Sequence, residues 1–124
     1  MARAVGIGGV FLRAKDPGAL AAWYEVALGI GFAPDGSFAI FADDTPGAVT
    51  VFSLFGQDET YIGEPGRQSA MVNFRVDDLD GVIERIRACG SATEPVLEEG
   101  NGRFSWSTDP EGNRIEIWEP SAPT

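Results

Sequence analysis

Asp109-Pro110-Glu111-Gly112-Asn113-Arg114-Ile115-Glu116-Ile117-Trp118-Glu119-Pro120 reads as a turn that opens into a strand. Pro110 fixes its own φ, and Gly112 and Asn113 tolerate positive φ, so the first five residues carry turn chemistry. The next residues alternate, with Ile115 and Ile117 on one face and Arg114, Glu116 and Trp118 on the other, as in a half-buried strand. Glu116 therefore stands mid-strand on the face opposite the isoleucines. An unpaired buried carboxylate is costly and persists only with a partner, a metal or a shifted pKa, so Glu116 is the first candidate functional residue.

Outward from this stretch, residues 103–107 predict the preceding strand. Residues 70–76 alternate Val72, Phe74 and Val76 against Met71, Asn73 and Arg75. Asp77-Asp78 then caps a helix carrying Leu79, Val82, Ile83, Ile86 and Cys89, ended by Gly90. The first half follows the same plan. Residues 5–14 predict a strand with Val10, Leu12 and Ala14 opposite Gly9, Phe11 and Arg13, and Asp16-Pro17 starts a helix that Gly29 ends. That helix carries Leu20, Trp23, Tyr24, Ala27 and Leu28, with Trp23 and Tyr24 set to pack on the outer sheet face or on a partner subunit. Residues 38–41 and 49–55 predict two further strands around the turn at Asp43-Asp44-Thr45-Pro46-Gly47, and residues 31–37 hold a weaker strand signal. Residues 56–69 are polar, glycine-rich and aperiodic, the natural linker.

The halves form an internal repeat. Asp16 and Asp78 lie 62 positions apart (78 − 16), and the same shift lays Gly9-Val10-Phe11-Leu12-Arg13 on Met71-Val72-Asn73-Phe74-Arg75. Gly47 and Gly112 lie 65 apart (112 − 47), a difference that small loop insertions absorb. Each half is strand, helix, then more strands, a duplicated half-domain; solenoid arrays need about three or more units.

Bulk properties exclude several classes. The chain has 124 residues, 44% of them hydrophobic and 23% charged, which fits one globular domain with a real core. A net charge of −10 repels phosphate backbones and anionic headgroups, so nucleic acid and membrane surfaces are not expected partners. No apolar run approaches the roughly 20 residues of a membrane span, and residues 1–10 lack the core of a signal peptide, so a cytoplasmic protein is expected. The single cysteine, Cys89, excludes an internal disulfide. The absence of histidine removes the commonest general base and metal ligand.

The segment 9–17 followed by Trp23-Tyr24 and Leu28-Gly29, the segment 71–78 and the closing signature 109–120 together resemble the vicinal oxygen chelate superfamily. This superfamily includes glyoxalase I, bleomycin resistance proteins and extradiol dioxygenases. The resemblance covers nearly the whole chain and implies an α+β fold of two tandem βαβββ modules, each curling a sheet around a cleft, usually in a homodimer. The modules would span about 5–55 and 70–120 of one domain, joined by the linker 56–69. In metal-dependent members, one divalent metal is held by a residue on the first and last strand of each module. The matching positions are Gly9, a residue near Phe52, Met71 and Glu116. Of these only Glu116 suits a hard or borderline cation, because glycine and phenylalanine offer no ligand and a thioether is soft. No metal cofactor is therefore expected.

Strand parity gives the expected ligand-binding set: Phe11, Arg13, Phe52, Leu54, Met71, Asn73, Arg75 and Trp118, with Glu116 as catalytic candidate. Aromatics alternating along strands also describe plain core. Glu116 is equally satisfied by pairing with Arg13, Arg75 or Arg114. Trp106 faces either side, depending on the register across the turn, and Tyr61 is placed to close over a cleft mouth. Gly6-Ile7-Gly8-Gly9 lies inside a strand and is no phosphate loop. Asp43-Asp44 and Glu98-Glu99 read as solvated loop acids, and Cys89 as a buried core thiol.

Three functions follow. The favoured one is a glyoxalase/bleomycin-resistance-like protein that binds a small organic molecule, neutral or cationic, without the family's metal. The second is an enzyme of lyase, isomerase or dioxygenase type using Glu116 as base or metal ligand. The third is a structural or interaction domain whose cleft is filled by its own side chains.

Overall fold

The computed structural model describes residues 1–42 and 49–121. The turn at Asp43-Asp44-Thr45-Pro46-Gly47 lies outside them. Among the described residues are seven strands and two helices: β1 (Ala4–Ala14), α1 (Pro17–Leu28), β2 (Phe38–Ala42), β3 (Val49–Gly56), β4 (Ala70–Val76), α2 (Leu79–Ala88), β5 (Leu97–Glu99), β6 (Gly102–Thr108) and β7 (Arg114–Pro120). The class is α+β, with parallel and antiparallel pairings both present. The chain forms two compact units, residues 9–71 and residues 1–8 with 72–124.

In the unit of residues 9–71 the strand order is β2-β3-β1. β1 runs parallel to β3, with Gly9 opposite Val51 and Val10 opposite Phe52, and β2 runs antiparallel to β3. Asp16 caps α1 by accepting the amide of Ala19 at 3.1 Å, and Pro17 occupies the first turn, where its missing N–H costs nothing. Gly29 ends the helix in the left-handed conformation (φ 68°), which only glycine adopts cheaply. Tyr24 anchors α1 to β3 by an edge contact with Phe52, their ring centroids 5.1 Å apart.

The expected linker is a loop pinned by one side chain. The Arg13 guanidinium donates to the carbonyls of Gln57 (3.0 Å), Glu59 (2.6 Å), Gly63 (3.1 Å) and Gln68 (3.0 Å). An arginine fork satisfies this many loop carbonyls because its donors are rigidly splayed.

In the other unit the order is β4-β7-β6-β5, with β4 and β7 parallel and the β6 pairings antiparallel. The chain enters this unit beside β4, since Arg3 and Asp77 exchange hydrogen bonds at 2.8 and 3.2 Å. α2 begins at Asp78, whose carboxylate accepts from the Gly81 amide, and its Leu79 amide is taken by Glu119 at 2.9 Å. Leu79 and Ile83 of α2 pack with Val76 and Ile117 into a core flanked by Val82, Ile86 and Ile115. One face of β7 is thereby committed to the helix, as the Ile115/Ile117 alternation implied.

Three sequence expectations change here. Cys89 is exposed and not buried, because α2 stops at Ala88 and leaves Cys89 at its C-cap. Glu98 and Glu99 lie in the short strand β5 and not in a loop; Glu98 remains exposed and pairs with Arg103 at 3.4 Å. In the turn before β7 only Gly112 has positive φ; Asn113 is held instead by the Asp109 carboxylate, which accepts from its amide and side chain. Among the described residues no helix is long and apolar enough to cross a membrane.

Candidate functional site

Opposite the helix-side core, the β4-β7-β6 sheet presents a second face. The parallel register sets Asn73 beside Glu116 and Arg75 beside Trp118, and the antiparallel register sets Trp106 beside Glu116 and Phe104 beside Trp118. Laterally paired residues share a face, so Asn73, Arg75, Phe104, Trp106, Glu116 and Trp118 form one surface. Phe104 and Trp118 are parallel within 2° at 5.9 Å, and Phe104 and Trp106 within 17° at 6.5 Å, so the three rings form one offset stack across β6 and β7. Trp118 is fixed in it by donating to the Asn101 carbonyl at 2.9 Å.

Glu116 lies beside this stack, opposite Trp106, and is 2% exposed. Asn73 Nδ2 donates to its Oε1 at 2.5 Å and Trp106 Nε1 to its Oε2 at 2.9 Å. Burial pushes the carboxyl from 4.5 up to about 8, because the ionised form loses its hydration. At neutral pH the group is therefore mostly a protonated acid with both donor and acceptor capacity.

Asn73 is 3% exposed, and its Oδ1 has no hydrogen-bond partner among the described residues. The amide is seated on glycine: a Cβ on Gly8 would stand 2.1 Å from Asn73 Oδ1 and 2.8 Å from the Trp118 ring. A Cβ on Gly6 would likewise meet the Arg75 guanidinium at 2.4 Å. Gly6-Ile7-Gly8 is thus a floor for the two β4 side chains, a role that its strand context left unassigned.

The remaining expected site residues lie in the unit of residues 9–71 and do not share one face. Gly9, Phe11 and Arg13 are opposite Val51, Ser53 and Phe55, whereas Phe52 and Leu54 are opposite Val10 and Leu12. The assignment of Phe52 and Leu54 to the face of Phe11 is corrected accordingly: the parallel register is offset by one residue from the assumed parity, and a slip of one inverts every side chain. Phe52 packs on Tyr24 and Phe32. Phe11 packs on Phe55, which stacks with Tyr61 at 5.6 Å, so Tyr61 belongs to an aromatic cluster. Met71 is buried, and Arg13 is engaged by the loop carbonyls. Arg114, one of the expected partners of Glu116, pairs with Glu94 and lies 5.5 Å over the Trp106 ring.

The four positions matched to a metal site supply a single oxygen ligand. Gly9 has no side chain, Val51 replaces Phe52 as its neighbour and has no lone pair, and Met71 offers a thioether. Glu116 is the remaining one, and each of its oxygens accepts an N–H. Among the described residues no three His, Cys, Asp or Glu side chains cluster. These residues do not fit the metal.

A family model described as a glyoxalase-like domain matches residues 9–118. Among solved structures, methylmalonyl-CoA epimerase from Mycobacterium tuberculosis is similar at 22% identity, covering 96% of this chain and 90% of that one, with a TM-score of 0.69. A Streptomyces coelicolor methylmalonyl-CoA epimerase variant in complex with 2-nitronate-propionyl-CoA reaches a TM-score of 0.74 at 14% identity, covering 97% and 100%. A glyoxalase/bleomycin resistance protein/dioxygenase superfamily member from Vibrio splendidus 12B01 gives 0.59 at 14% identity, covering 96% and 99%. No curated protein matches the sequence. The resemblance read from the sequence is borne out, and at these identities the structural likeness establishes the fold alone.

Proposed function

This chain belongs to the glyoxalase-like domain family, and on that premise we propose that its β4-β7-β6 face binds a small, flat organic molecule without a divalent metal. The carrying observation is the Glu116 carboxyl, buried beside an aromatic stack and held by two neutral N–H donors, with its pKa raised to about 8. A neutral acid offers both a proton and a lone pair to a ligand, while the rings of Phe104, Trp106 and Trp118 supply an apolar wall beside it. The unpartnered Asn73 Oδ1 adds an acceptor beside it. A net charge of −10 favours neutral or cationic ligands over anions.

The test is a thermal-shift screen of flat heteroaromatic compounds, neutral and cationic, against wild type, Glu116→Gln and Trp106→Phe. A ligand at about 100 times its Kd stabilises by roughly 2.7 kcal/mol. Hits that lose affinity at least tenfold in both variants support the reading; hits indifferent to both variants refute it. Stoichiometric zinc, nickel or iron in purified protein, lost in Glu116→Gln, refutes the metal-free part.

A second reading is favoured by the same pKa. An acid that titrates near neutrality is suited to general acid-base catalysis, since it exchanges its proton readily at working pH. The structural likeness to methylmalonyl-CoA epimerases names a first probe, methylmalonyl-CoA in D2O. Exchange of its α-proton that Glu116→Gln abolishes would replace simple binding by proton transfer; no exchange above the protein-free rate removes this reading.

A further inference from the structure

α2 is 10 residues long and stops before it has covered the end of the sheet beneath it. Val82, Ile86 and Ile115 flank the helix-side core, but past Ala88 the side chains are small, with Cys89 and Ser91 after the helix and Ser107 near the end of β6. What is left between α2, β6, β7 and the turn at Asp109-Pro110 is a hollow of about 300 Å³. It lies on the face of β7 that carries Ile115, opposite the face that carries Glu116. Its walls are apolar, and two charged residues stand on them, Arg85 and Asp109. A hollow of this size, mostly apolar with a few polar groups, has the make-up of a small-molecule pocket.

We propose that this hollow binds a small monocarboxylate, its apolar body held between Val82, Ile86 and Ile115 and its carboxylate on the Arg85 guanidinium. The charges on the wall decide the sign of the ligand. Asp109 spends its carboxylate inside its own turn, accepting from the amides of Glu111 and Asn113 and from the Asn113 side chain. Arg85 gives one N–H to the Ala2 carbonyl, and a guanidinium carries five. Its fork matches a carboxylate, and charge-assisted bonds of that kind are about twice as strong as neutral ones. The net charge of −10 opposes an anion only at long range, being screened beyond about 10 Å in ordinary salt, whereas Arg85 lines the hollow itself. The other repeat lacks this cation. Ile86 corresponds to Tyr24 (86 − 62) and Ile115 to Thr50 (115 − 65), and the hollow lined there by Tyr24, Thr50 and Phe52 has no charged residue on its wall among the described residues. At interior packing density, the hollow beside α2 takes a body of roughly ten non-hydrogen atoms, the size of octanoate.

Titration calorimetry of the full chain with octanoate, and with octanamide as its neutral counterpart, tests this. The expected result is one saturable octanoate site of about millimolar affinity or tighter, with octanamide at least tenfold weaker. Arg85→Gln, at an exposed position, is expected to bring octanoate down to the level of octanamide and to leave octanamide unchanged. Ser91→Phe, which fills the hollow from its rim, is expected to abolish binding of both compounds. Cys89, the one thiol of the chain, reports the place: its alkylation by iodoacetamide is expected to slow as octanoate saturates, with the midpoint of the calorimetric curve. No saturable binding up to about 10 mM, equal affinity for the two compounds, an affinity untouched by Arg85→Gln, or an unprotected Cys89 would each overturn the proposal. Octanoate binding lost in Glu116→Gln instead of Arg85→Gln would place the acid on the opposite face of β7 and overturn it equally.

Discussion

Replacing Glu116 by glutamine isolates the effect of burying a carboxyl in an aromatic face. The folded pKa of about 8 lies above the ordinary 4.5, so between these values the folded state holds a proton that the unfolded state has released. Stability from this group is then fully present below about pH 4.5 and falls by about 1.4 kcal/mol per pH unit until the folded carboxyl itself ionises near pH 8. By pH 8 the loss is on the order of 4 kcal/mol. Glutamine has nearly the same shape and no charge. Its Oε1 can accept from Trp106 Nε1, and its amide can donate to Asn73 Oδ1, which is unpartnered in the native network, once the Asn73 amide turns over. Glu116→Gln is therefore expected to be close to wild type at pH 5 and more stable by several kcal/mol at pH 8. For a domain of this size, that corresponds to roughly 10–20 °C in Tm. The assay is denaturant unfolding from pH 4.5 to 9, with a carboxyl-carbon NMR titration of Glu116 in the wild type. Parallel pH slopes for the two proteins, or a Glu116 midpoint below about 5.5, would refute the burial argument.

Gly8→Ala drives a methyl into Asn73 Oδ1 and the Trp118 ring and should cost about 1–3 kcal/mol, whereas Gly6→Ala meets only the movable end of Arg75 and should cost less than half as much; urea unfolding compares them. Arg13→Ala removes four hydrogen bonds from the loop of residues 57–69 and should make that loop the first site of limited proteolysis, with Arg13→Lys restoring little because an ammonium lacks the splayed fork. Leu79→Ala, at a fully buried position between α2 and β7, should destabilise by about 2–5 kcal/mol in the same unfolding assay. Asp109 accepts from the amides of Glu111 and Asn113 and from the Asn113 side chain, which hold its carboxyl below the usual range. Its contribution is present above its ordinary pKa and lost as pH falls through the depressed one, so Asp109→Ala should speed amide exchange in β6 and β7 at pH 6 and make less difference at pH 3.

The elements that were legible in the sequence are those set by local chemistry. Asp16-Pro17 and Gly29 bracket α1, Asp78 opens α2, and the alternation of Ile115 and Ile117 against Glu116 and Trp118 gives the two faces of β7 correctly. Each of these depends on residues within one turn or one strand. The errors fall where a second strand has to be placed. Phe52 and Leu54 alternate as expected along β3, but which parity shares the face of Phe11 depends on the parallel register with β1, and that register is set by the whole βαβ crossover. β5 is three exposed residues held by pairing with β6, so no hydrophobic pattern announces it.

The same distinction accounts for the partner of Glu116. An arginine was the natural expectation, because charge pairs with charge and three arginines lay at compatible positions. What the sheet places laterally beside Glu116 is Asn73 from β4 and Trp106 from β6. Asn73 follows from parity alone once β4 and β7 are known to be parallel neighbours. Trp106 follows from the length of one turn: Asp109 holds its five residues closed, fixing Thr108 opposite Arg114 and therefore Trp106 opposite Glu116. A turn one residue longer would have put Ser107 beside the carboxyl and turned Trp106 toward the helix. Neutral donors stabilise a carboxylate less than an arginine does, so burial prevails and the group stays protonated at neutral pH. The turn chemistry of residues 109–113 thus reaches Glu116 through register, and it helps to determine whether that carboxyl stands in the sheet as an acid or as an anion.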